Sequence, residues 1–173
     1  MRCLHVPMRR AVGSALAAMT LIFAASAGAT HTCTVGIGNL DFGTYFGNQT
    51  TSSATMSVTC TLTSTGSDTV AFTATLSTGA GSYTQRLLTN VGSPTDTLPY
   101  NLYLDTVPAI LNTSVWGDGS GATVVASGSM KLQQTIAPVV TVTFTVAGAI
   151  AAVATMPPPG AYLDLIAGTV TYN

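Results

Sequence analysis

Threonine alternates with apolar residues through much of this chain, and that period of two restricts the fold more than any other feature. Thr141–Val146 reads TVTFTV and puts Val142, Phe144 and Val146 on one face. Thr69–Leu76 places Val70, Phe72, Ala74 and Leu76 together, and Thr55–Leu62 does the same for Met56, Val58, Cys60 and Leu62. Such runs predict half-buried β-strands. Shorter candidates are Cys33–Ile37, Asp41–Phe46, Arg86–Leu88, Leu98–Leu104, Ala122–Ala126 and Lys131–Thr135. Turn chemistry separates them: Ser77–Ser82 (STGAGS), Gly117–Gly121 (GDGSG) and Pro157–Gly160 (PPPG). The Ala-rich stretch Ala147–Met156 is expected to be an extended connection, because the proline triplet follows at once. No segment shows apolar residues at helical spacing. Many short strands with frequent breaks predict one all-β sandwich.

The N-terminus is expected to lie outside that fold. Arg2, Arg9 and Arg10 precede the uncharged apolar run Ala11–Ala25, and small-x-small sites follow at Ala25–Ala27 and Ala27–Ala29. These are the parts of a secretory signal peptide, residues 1–29. The apolar run is short for a membrane anchor. The mature domain is then 30–173, with no membrane span after cleavage. Cleavage would take three of the five basic residues with it. Arg86 and Lys131 would then face six aspartates and no glutamate, a net charge of −4. That balance excludes a nucleic-acid footprint. It leaves Cys33 and Cys60, an even pair in an exported chain, which predicts one disulfide worth roughly 3–4 kcal/mol in loop-closure entropy.

The means for catalysis are sparse. His31 is the one histidine after the leader, and its position two residues before Cys33 suggests a frayed end, a poor support for a catalytic base. No glutamate is present to pair with the aspartates, most of which sit at turns and strand ends. Asp118-Gly119-Ser120-Gly121 lacks the alternating oxygen ligands of a calcium loop and reads as a tight turn. No catalytic, cofactor-binding or metal-ligating residue is assigned, and the chain is read as no enzyme. Trp116 and Tyr83, both beside turns, are the candidates for a loop contact; the plainer reading of Trp116 is a cap on the core. The terminal stretch Tyr162–Asn173 places Ile166, Val170 and Tyr172 on one face with Gly168 between them. A domain that closes on such a strand leaves an edge for another chain to cover.

In order along the chain stand Cys33-Thr-Val, Leu40-Asp41-Phe42-Gly43-Thr44-Tyr45, Ser57-Val58-Thr59-Cys60, Leu76-Ser77-Thr78-Gly79 and Tyr83-Thr84-Gln85-Arg86. Tyr100-Asn101-Leu102-Tyr103-Leu104-Asp105, Trp116-Gly117-Asp118-Gly119, Pro159-Gly160-Ala161-Tyr162-Leu163-Asp164 and Val170-Thr171-Tyr172 complete the series. From Cys33 to Tyr172 the chain resembles the spore coat protein U domain, the family that includes subunits of archaic, Csu-type chaperone–usher pili. The resemblance implies an incomplete immunoglobulin-like, pilin-type β-sandwich lacking its final strand. It also implies a periplasmic pilus chaperone, an outer-membrane usher and neighbouring pilus or coat subunits as partners. Localisation would be at the cell surface by way of the periplasm. Ile166, Val170 and Tyr172 would then belong to the strand that the chaperone pairs with, and Cys33–Cys60 would tie the first strand to the second. Polymerising pilins carry a donor segment ahead of the first cysteine; here Thr30–Thr32, or Gly28–Thr32 with the earlier cut, is too short for one, which implies an acceptor-only subunit at a filament end or in a surface coat assembled differently. The alternative reading is a self-contained secreted β-sandwich that binds carbohydrate or surfaces.

Overall fold

The computed structural model describes residues 31–173, so the expected leader lies outside the described residues. Nine strands form two antiparallel sheets in an immunoglobulin-like sandwich: β1 His31–Ile37, β2 Thr50–Leu62, β3 Ser67–Leu76, β4 Arg86–Asn90, β5 Ser93–Leu104, β6 Ala126–Gln133, β7 Val139–Ile150, β8 Tyr162–Leu163 and β9 Gly168–Tyr172. One sheet has the order β1-β2-β7-β5-β4-β8 and the other β6-β3-β9. Among the described residues no helix is long and apolar enough to cross a membrane.

The alternation does what its period dictates. Met56, Val58, Cys60 and Leu62 of β2 turn inward, as do Val70, Phe72, Ala74 and Leu76 of β3. Their threonine neighbours face outward. Phe144 of β7 lies between the rings of Phe72 and Trp116, edge to face at 6.1 Å from each. Each large apolar side chain so buried contributes about 1.5–3 kcal/mol.

Three sequence expectations need correction. Asp41–Phe46 forms no strand: Phe42 and Tyr45 are buried as anchors of an irregular segment, and the Tyr45 hydroxyl donates to the Ala151 carbonyl at 2.6 Å. β7 continues through Ala147–Ile150, where a connection was expected. These small residues pair on both sides, with Thr50–Ser53 of β2 and with Tyr100–Tyr103 of β5. Ala122–Ala126 contributes only a bridge between Val124 and Trp116 before β6 begins.

The three-stranded sheet covers only part of its wider partner. Loops cover the β5-β4-β8 side, and two buried charged residues hold them. Arg86 is fully buried; its guanidinium donates to the Ser77 carbonyl (3.1 and 2.8 Å), the Trp116 carbonyl (2.7 Å) and Asn101 Oδ1 (2.7 Å). Asp164 is 5 % exposed and accepts from Tyr100 Oη (2.6 Å), Ala80 N (2.8 Å) and Leu165 N (2.8 Å). Gly79 makes this possible: it takes φ +62°, and a Cβ there would overlap the Asp164 carboxylate. Each buried charge is thus matched by several hydrogen bonds, the condition for its tolerance in a core.

Burial lifts the Asp164 pKa above the ordinary carboxylate range, against the opposing pull of its three hydrogen bonds and the Arg86 charge. The folded molecule therefore holds this proton more readily than the unfolded chain. The contribution of Asp164 is full below the ordinary carboxylate pKa and is lost as pH rises through the raised value. The stability difference between the wild type and Asp164→Asn, followed by urea unfolding, is expected to shrink as pH rises through that window; a difference that grew would contradict the assignment.

Candidate functional site

Two strand edges face each other on one side of the sandwich. β1 pairs with β2 and β9 pairs with β3; among the described strands neither has a second partner, although β1 and β9 approach each other. Register fixes what each edge presents. Gly38 N donates to Thr55 O at 2.8 Å, so the alternating antiparallel pattern directs Thr32, Thr34 and Gly36 toward β2. The N–H and C=O groups of His31, Cys33, Val35 and Ile37 then point the other way. On β9, Asn173 N donates to Ala71 O (3.2 Å), and just before the strand Ser77 N donates to Ala167 O (2.9 Å). Thr169 and Thr171 therefore bond β3, while Gly168, Val170 and Tyr172 direct their backbone groups toward β1. The same residues carry the inward-facing side chains, because side-chain and hydrogen-bond directions alternate together.

The slot is thinly covered in its middle and closed at both ends. Cys33, Val35 and Val170 are only half-buried, and Tyr172 is 37 % exposed. Met56, Val58, Cys60, Phe72 and Ala74 lie beneath them in the core. At one end Ile37 occupies the space above Gly168 that a Cβ would otherwise fill. At the other, the His31 ring meets Tyr172 at 5.5 Å; its Nδ1 lies 2.6 Å from Asp68 Oδ2 and its Nε2 lies 2.7 Å from the Asn173 backbone oxygen.

The structure brings several of the expected residues here. Cys33 and Cys60 are opposite each other in register and joined as a disulfide, with Cα atoms 4.1 Å apart. Val170 and Tyr172 lie on β9, while Ile166 sits just before it, 2 % exposed in the core. Trp116 and Tyr83 are elsewhere. Trp116 is fully buried and its indole donates to the Ala74 carbonyl at 3.1 Å, so it is a core residue and no surface platform. Tyr83 is half-buried beneath the Arg86 guanidinium, and its hydroxyl donates to the Leu76 carbonyl. Asp118 is exposed and accepts from Ser120 N and Oγ (2.9 and 2.6 Å), closing a tight turn; these bonds hold its carboxyl below the ordinary range. Among the described residues no three His, Cys, Asp or Glu side chains converge on a metal position.

His31 contradicts its expectation. It is 6 % exposed and begins β1, opposite Leu62, instead of fraying. Sequence reasoning missed this because its supports, Asp68 and Asn173, lie 37 and 142 residues away. The buried roles of Arg86, Asn101 and Asp164 were missed for the same reason. The available signal was that Arg86 and Asp164 are polar residues beside strands in a chain with 6 % charged residues.

The Spore Coat Protein U domain model matches residues 19–169, most of the chain, and the protein belongs to that family. Its members are structural proteins of pili and surface coats, not enzymes. No curated protein matches the chain. The match starts at residue 19, within the stretch that the sequence assigns to the leader.

The edge geometry sets an exchange pattern. With the protein free of partners, the amides of Val170 and Tyr172 are expected to exchange with solvent about tenfold or more faster than those of Thr169 and Thr171, measured residue by residue by NMR. Equal protection would mean that the outer edge of β9 is already bonded.

Proposed function

We propose that this protein is a non-enzymatic structural subunit of a chaperone–usher pilus or cell-surface coat, and that it accepts a foreign strand between β1 and β9. The observation that carries this reading is the pair of facing, unladdered edges above half-buried apolar side chains. An inserted strand gains backbone hydrogen bonds on both flanks, and its alternate side chains cover Cys33, Val35, Val170 and Tyr172. In the periplasm a chaperone supplies that strand; at the outer-membrane usher, a neighbouring subunit's segment replaces it. The disulfide suits this oxidising route. It ties the strand beside the slot to the core, so that β1 keeps its register when its other side is vacated.

Processing decides whether the subunit also donates. Cleavage after Ala29 leaves three residues ahead of Cys33, and the subunit then accepts without donating, as at the end of a filament. N-terminal sequencing of the surface protein is expected to begin at Thr30, or at Gly28 with the earlier cut; a start near Met19 overturns the end position and supplies a donor segment.

Acceptance itself is tested by capture. The protein is expected to co-purify from periplasm with a two-domain chaperone. Val170→Asp and Tyr172→Asp each set a carboxylate where the incoming strand would cover it and are expected to reduce capture about tenfold or more. The Trp116 fluorescence reports whether the core stays intact. Unchanged capture by both variants would show that the partner binds elsewhere.

A further inference from the structure

We propose that His31 is a proton-dependent latch on this slot, holding β1 to β3 and β9 when its imidazole is charged and releasing them as the proton leaves. The inference rests on the slot being a strand acceptor, and it adds how entry is controlled.

The two ring nitrogens settle which protonation state the latch needs. Nδ1 faces Asp68 Oδ2 at 2.6 Å and Nε2 faces the Asn173 backbone oxygen at 2.7 Å. Both partners are acceptors. A neutral imidazole has one N–H and must turn a lone pair toward one of the two oxygens; an imidazolium donates to both. The partners are themselves fixed. Asp68 Oδ1 accepts the Thr69 N–H at 2.7 Å, which turns Oδ2 toward His31. Asn173 is fastened to β3 through Asn173 N to Ala71 O (3.2 Å) and Ala71 N to Asn173 Oδ1 (2.8 Å). The Tyr172 ring lies 5.5 Å from the imidazole, within the range at which an aromatic face attracts a cation.

Among the groups facing His31 are the Asp68 carboxylate from β3, and the Tyr172 ring and the Asn173 oxygen at the end of β9; β2 presents Leu62 opposite it. With Ile37 over Gly168 at the far end, His31 completes a closure at both ends. A strand entering between β1 and β9 passes between His31 and Asn173, so the contact must break. Histidine changes charge between pH 5 and 8 more readily than any other side chain. The sign follows: acid closes the latch, and loss of the proton removes one charge-assisted bond and frees the edge.

The test uses the refolded, disulfide-bonded protein without any partner. Amide exchange of Thr171 and Asn173 is read as a ratio to that of Val142 in central β7, which cancels the intrinsic pH dependence of exchange. Between pH 5.5 and pH 8 this ratio is expected to rise about tenfold or more in the wild type, the scale of one charge-assisted hydrogen bond. His31→Phe keeps a ring against Tyr172 but has no proton to lose, and is expected to show no such rise; Asp68→Asn is expected to reduce it. Nitrogen NMR reads the protonation of the wild-type imidazole directly across the same range, which needs no variant to fold; an exchange response with no accompanying change on the ring overturns the latch. A flat wild-type ratio, or the same rise in His31→Phe, overturns the latch. A flat ratio with chaperone capture intact defeats the latch alone. A pH response without any strand capture defeats the proposed function and leaves the latch standing.

Discussion

Backbone N–H and C=O groups in a sheet must bond to a neighbour or stay in water, and β1 and β9 are laddered only on the flanks that face β2 and β3. Everything else in the molecule puts those edges opposite each other. Alternating threonine and apolar residues fix β2, β3 and β7 as strands that bury one face. The Cys33–Cys60 bond holds β1 against β2, and pairing with β3 orients β9. Register then turns the inward-facing residues of both edges toward the same gap. The slot is thus a consequence of sheet geometry, independent of any special side-chain chemistry.

A protein built this way has two competing needs. On the proposed reading the gap must admit a strand, yet its apolar floor must be shielded until one arrives. The molecule meets the second need by leaning β1 toward β9, with Ile37 over Gly168 at one end and His31 bridging to Asp68 and Asn173 at the other. The polar supports under the far half of the sandwich, Arg86 and Asp164, secure loops where no second sheet covers β5-β4-β8.

The sequence reading and the structure agree where physics is local. Period-two alternation marked β2, β3 and β7, and the even pair of cysteines that follows the expected leader marked the disulfide. Agreement fails where burial is decided at long range. Asp41–Phe46 carries strand-like residues, but Phe42 and Tyr45 serve as plugs. Ala147–Ile150 has no alternation to read and becomes a strand because both neighbouring strands claim its backbone. Trp116, beside a glycine-rich turn, is by contrast found as its plainer reading had it, packed in the core against Phe144 with its indole on the Ala74 carbonyl. His31 is legible only with the fold, since nothing local links it to Asp68 or Asn173.

The most direct measurement is the structure of this protein bound to the two-domain periplasmic chaperone proposed for it. The account predicts one foreign strand between β1 and β9, bonded at once to the backbone of Val35 and of Val170, with His31 parted from Asn173. A partner docked on another face, with β1 and β9 still leaning together, would contradict it.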